Sequence, residues 1–186
     1  MSGTTSSDAW IGDVLDFWFK ELGPEDWYKK DDAIDATIQE RFGALYEALA
    51  RTTHADVPTA RGALATVIVL DQFPRNMFRG SPKSFTSDTK ALAIAQSAIA
   101  RGIDRELAAS ERQFLYMPFQ HSEDRGVQER SVELFADLGD AEVLRYAELH
   151  RAIIDRFGRF PHRNAVLGRA STPDEIAFLR EPDSSF

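Results

Sequence analysis

The sequence predicts an all-α protein, and three observations carry that prediction. Apolar residues recur at steps of three and four through almost the whole chain. No alternating run of apolar and polar residues bounded by turns makes a convincing strand. Helix stop signals, Gly23-Pro24, Gly102, Gly139 and Gly158, fall between the periodic segments rather than inside them. About eight helices with short connections, and no linker rich in Pro, Gly or Ser, imply one compact array over residues 8–186 behind a loose tail, residues 1–7.

The first helix is expected over residues 8–22, where Ile11, Leu15, Trp18 and Leu22 form one stripe. The second, residues 31–51, aligns Ile34, Ile38, Phe42, Leu45 and Leu49. Asp31, Asp32 and Asp35 crowd its first turn, where the positive end of the helix dipole favours carboxylates, so they read as capping chemistry rather than a metal site. A third helix opens at Pro58 and stops at Pro74; residues 63–70 are apolar on every side apart from Thr66, which makes it central. Further helices follow at 87–101, at 110–120 with Pro118 disturbing it, at 123–138 and at 140–157. Thr172-Pro173-Asp174-Glu175 opens a short last helix with a capping hydroxyl, a first-position proline and a glutamate three residues after the cap.

Composition narrows the function. The 186 residues are 43% apolar and 28% charged, far from chains that stay disordered. A formal charge of −8 gives little support to a nucleic-acid or anionic-membrane surface, since both need a basic face. Cysteine is absent, which removes disulfides, thiolate metal sites and cysteine nucleophiles, and suits a reducing compartment. No apolar stretch approaches the ~18–20 residues of a membrane span and the start lacks signal-peptide order, so a cytoplasmic protein is expected.

The informative positions are polar residues on apolar stripes, because burying such a group unpaired costs roughly 1–3 kcal/mol. Asp71 follows Ala60, Leu64 and Val67, which points its carboxylate inward at a helix end. His150 sits mid-stripe between Val143, Ala147 and Ile154, Phe157. His121 falls in register with Phe114 and Pro118, beside Glu123. Each has a plain alternative: a single hydrogen bond for buried His150, an ion pair with Arg75 for Asp71, and helix capping for His121 and Glu123. Three such groups near helix ends fit one shared polar pocket better than three accidents.

Between Arg145 and Arg169 stand six arginines against two acids, a local anion trap in an acidic protein. Its densest part, Phe160-Pro161-His162-Arg163-Asn164, echoes Phe73-Pro74-Arg75-Asn76; each lies past a helix end, so the echo reads as a stop signal. Phosphate-loop, dinucleotide, zinc-protease, serine-hydrolase and calcium-loop motifs are all missing. No metal or cofactor is called for. His121-Ser122-Glu123 spells the start of a zinc-deaminase signature whose second half needs the missing cysteines.

Four segments, VLDFWF (14–19), LDQFPRNMFRG (70–80), FLYMPFQHSED (114–124) and HRAIIDRFGRFPHRNAVLGRASTPDE (150–175), resemble in order the bacterial family known only as domain of unknown function number 924. The resemblance implies a TPR-like α/α superhelix and brings no activity, substrate, cofactor or site residue with it.

The residues therefore point first to a binding module. An anionic small molecule or acidic peptide end would lie against Arg75, Arg159 and Arg163, with Asn76, Glu123, His162 and Asn164 lining the pocket and Asp71, His121 and His150 orienting it. The alternative is a hydrolase or transferase on a phosphorylated or carboxylated metabolite, with His150 or His121 as general base, Asp71 or Glu123 orienting it, and arginines stabilising developing negative charge. A protein-interaction scaffold without a small-molecule site is the third reading.

Overall fold

A computed structural model describes residues 8–52 and 57–185; the tail expected at residues 1–7 lies outside the described residues. The chain is all-α, with no strand among the described residues. Helix α1 (Ala9–Asp16) widens into a π-helical turn, Phe17–Glu21, and a short α2 (Pro24–Trp27) follows where only a stop was expected. Helix α3 (Asp32–Arg51) is capped by the Asp31 carboxylate, which accepts from the amides of Ala33 and Ile34. Its stripe buries Ile38, Phe42 and Tyr46.

The central helix differs most from expectation. Helix α4 (Ala60–Val67) begins two residues after Pro58, with the Thr59 hydroxyl accepting from the Gly62 amide. It then widens into a second π-helical turn, Ile68–Gln72, and continues as α5 (Phe73–Met77). Pro74 does not stop the chain. It occupies the first turn of α5, where a missing N–H is least missed. The Leu70 carbonyl, which an ordinary residue at position 74 would bond, accepts instead from the Ser87 hydroxyl at 2.5 Å.

After a 3₁₀ turn, Pro82–Phe85, come α6 (Asp88–Ala100), a second 3₁₀ turn (Ile103–Glu106) and α7 (Ala109–Gln120), which runs through Pro118. Helices α8 (Arg125–Ala136) and α9 (Ala141–Phe157) lie against each other. A 3₁₀ turn, Pro161–Arg163, and α10 (Pro173–Phe178) finish the fold. Helix α10 carries the predicted Thr172–Glu175 capping box. Gly102, Gly139 and Gly158 take φ of 73°, 75° and 71°, the left-handed conformation that ends a helix without a Cβ penalty.

Helix α4 packs against α1, α6 and α7, so its buried face meets other helices, while α3 covers α5. Phe73 is the aromatic hub: its ring lies 4.9 Å from Phe42, 5.8 Å from Trp18 and 6.1 Å from Phe17. Burying each such ring contributes roughly 1.5–3 kcal/mol, so this cluster holds both π-helical turns in place. A smaller cluster, Ile153, Ile154, Phe160 and Phe178, closes the C-terminal end.

Candidate functional site

The π-helical turn after α4 sets Asp71, whose side chain is wholly buried. Its Oδ1 lies 2.8 Å from His121 Nδ1 and 3.3 Å from Arg75 Nη1; its Oδ2 accepts from Gln72 Nε2 at 2.6 Å. Burial by itself would raise this carboxyl, but Arg75, His121 and Gln72 together hold it below the ordinary carboxylate range. It stays ionised.

His121 stands at the C-terminal cap of α7, where its amide still bonds the Met117 carbonyl. Burial pushes the imidazole pKa down and the Arg75 charge adds to this, while Asp71 opposes the shift without reversing it. A neutral ring facing an ionised carboxylate must carry its proton on Nδ1, which leaves the lone pair on Nε2. No described residue donates to Nε2, and 12% of the side chain is exposed.

Arg163 lies beside this pair, in the 3₁₀ turn after α9. Its guanidinium carbon lies over the Phe85 ring at 4.7 Å and over the Phe160 ring at 4.5 Å. Nη1 donates to the His121 carbonyl at 3.0 Å, and the nearest carboxylate, Asp88, stands off at 3.8 Å. Nε is buried without a partner. Burial and the neighbouring Arg75 push this guanidinium down to about 10. Arg75, in contrast, is fully paired, with two 2.9 Å bonds to Asp88 and one to the Asp71 carbonyl.

The echoed segments thus mean more than a stop signal. Their arginines, Arg75 and Arg163, converge on the same two residues, Asp88 and Phe85. Neither Asp88 nor Phe85 was singled out in the sequence, where nothing in their local spacing marks them. Only the turn of Pro82–Phe85 into α6 brings them there.

The two other histidines adjoin. His150 is buried on α9, its ring 6.1 Å from His121 and 5.7 Å from Phe160, with Nδ1 2.7 Å from the Tyr146 carbonyl. Burial, reinforced by His121, pushes its pKa down to about 3. His162 packs 5.5 Å from Phe160, and burial with the Arg163 charge lowers it to about 4. Asp71, Arg75, His121, His150, His162 and Arg163 therefore form one neighbourhood.

The remaining candidates do other work. Glu123 does not cap α8; Asp124 does, while the Glu123 carboxylate accepts from the Phe160 amide and takes two bonds from Arg169. Asn164 bonds Ser171 and Glu175 and accepts from Arg169. Arg159 stands apart from Arg75, held by two bonds to Glu175 and one to the Ala170 carbonyl. Asn76 faces the other way and bonds Asp35, which also pairs with Arg79. The arginine-rich stretch is not one anion trap, because Arg145, Arg151, Arg159 and Arg169 each have a carboxylate of their own. Among the described residues no group of three or more His, Asp or Glu is gathered closely enough to hold a metal ion. None of the described helices is long and apolar enough to cross a membrane.

Fold and site together define an all-helical protein organised around a buried carboxylate–imidazole pair with a stacked arginine at its edge. The chain belongs to the family described as bacterial protein of unknown function (DUF924), whose family model matches residues 14–183. Among solved structures it is similar to a protein of unknown function from Agrobacterium tumefaciens, with 42% identity and a TM-score of 0.88 over 93% of this chain and 98% of that one. No curated protein matches the chain.

Proposed function

We propose that the protein is a binding module for a small oxyanion, received by Arg163 beside the Asp71–His121 pair. The observation that carries this reading is the state of Arg163. It is only 7% exposed, its guanidinium lies over the Phe85 and Phe160 rings, and one Nη1 bond to a carbonyl is its sole side-chain hydrogen bond among the described residues. A buried cation without a carboxylate at hydrogen-bond distance is costly, and an oxyanion that reaches its unpaired N–H groups offsets that cost. The stacking rings fix the guanidinium plane in advance, so little ordering remains to oppose binding. The narrow exposure of Arg163 and His121 favours a small molecule over a peptide. Binding needs no reacting group beyond those present.

The test is a thermal-shift and calorimetric panel of inorganic phosphate, sulfate and small carboxylates on the wild type and on Arg163→Gln. An anion at about 100 times its dissociation constant adds roughly 2.7 kcal/mol, which in a chain of this size raises Tm by about 5–10 °C. The rise is expected in the wild type and absent in the variant. A variant that responds as fully as the wild type overturns the reading.

A further inference from the structure

We infer that the oxyanion this site takes carries its own O–H, and that His121 Nε2 accepts that hydrogen while Arg163 holds the negative oxygens. The inference rests on the Arg163 reading and adds the ligand's class: hydrogen phosphate or a small hydroxycarboxylate rather than an oxyanion that only accepts.

Asp71 is an ionised carboxylate and can only accept, so the 2.8 Å contact with His121 Nδ1 requires the hydrogen on Nδ1. The neutral ring then offers Nε2 as an acceptor. No described residue supplies a donor to it; Arg163 Nη1 goes instead to the backbone carbonyl of the same residue. That carbonyl contact, at 3.0 Å, ties the guanidinium to the backbone of the residue that carries Nε2, and the inference is that one small molecule spans the two.

A molecule that spans them would meet a donor fork on one side and a lone pair on the other. Sulfate or acetate answers the fork but sets oxygen lone pairs against Nε2. Hydrogen phosphate or glycolate answers both. Sites built to hydrogen-bond a ligand's O–H reject analogues that lack it far more strongly than apolar pockets reject a missing methylene. Asp71 fixes which ring nitrogen is the acceptor, and its own burial keeps water from competing for that role.

The experiment is calorimetric titration of the wild-type protein with two matched pairs: hydrogen phosphate against sulfate in mildly alkaline buffer, where both carry two negative charges, and glycolate against acetate. The inference expects the O–H-bearing member of at least one pair to bind on the order of tenfold or more tightly. The pair that shows the preference tells phosphate from hydroxycarboxylate. His121→Phe, which keeps a ring and removes the acceptor, is expected to erase the preference within each pair. Because that variant also strips Asp71 of a partner, nitrogen NMR of wild-type His121 is the companion measurement. It is expected to show the hydrogen on Nδ1 and a shift of Nε2 when the preferred ion is added. Equal affinities within both pairs, or a hydrogen on Nε2, overturn the inference and leave anion binding by Arg163 standing. No binding by any of the four ions overturns the Arg163 reading, and this inference with it.

Discussion

The Asp71 carboxylate and the His121 imidazole, 50 residues apart in the chain, meet at 2.8 Å where the π-helical extension of α4 faces the C-terminal end of α7. The third member is Arg75. Its charge lies close enough to Asp71 to keep the carboxylate ionised, and it adds to the burial that lowers the His121 ring and keeps it neutral. A carboxylate beside a histidine usually makes the ring more basic; here the balance is reversed, and the ring remains an acceptor at Nε2.

Asp71→Asn removes the negative charge and leaves Arg75 and His121 without their buried anion. Breaking such a pair from one side is expected to cost about 3 kcal/mol or more. Denaturant midpoints measure it, with an unchanged slope confirming that the native state stays compact. A loss below about 1 kcal/mol would mean that the pair is not what holds α4 to α7.

Acid should weaken the protein earlier than its carboxylates alone require. His150 and His162 are lowered to about 3 and about 4, whereas an unfolded histidine titrates near ~6.5. Below ~6.5 the unfolded chain takes up protons that the folded chain refuses, so stability is full above that pH and falls toward the folded values. At full slope each such histidine costs about 1.4 kcal/mol per pH unit. Asp71, lowered in the fold, acts in the same direction but only under acid strong enough to protonate carboxylates. Unfolding free energies at pH values between neutral and about 5 should therefore fall more steeply in the wild type than in His150→Leu. Parallel slopes would remove His150 from the account.

Arg159→Ala tests the division between structural and ligand-facing arginines. Arg159 serves Glu175, whose carboxylate also caps α10 through the Thr172 amide. The variant is expected to speed hydrogen exchange over residues 172–178 while leaving the anion response unchanged. Loss of the anion response with α10 still protected would move the site from Arg163 toward Arg159.

Local signals are legible where the chain itself supplies the chemistry. The capping hydroxyl of Thr172 and the positive φ of Gly158 depend on neighbours a few residues away, so residue type suffices. Pro74 misleads for the opposite reason. A proline leaves the carbonyl four residues earlier without its bond, and the chain stops unless something else takes it; here Ser87 does, and the helix resumes. Glu123 fits a capping position equally well by type, yet the Phe160 amide and Arg169 claim it.

The same distinction separates what the sequence alone determined from what only tertiary structure decided. Periodicity determined the all-helical class and the inward direction of Asp71 and His150, because a helix fixes where each side chain points relative to its own axis. It says nothing of what stands opposite. That His121 receives Asp71, that Arg75 and Arg163 share Asp88, and that Phe85 and Phe160 close on one guanidinium were decided by packing. Contacts between distant segments depend on how whole helices dock, and no spacing along one helix encodes its neighbour.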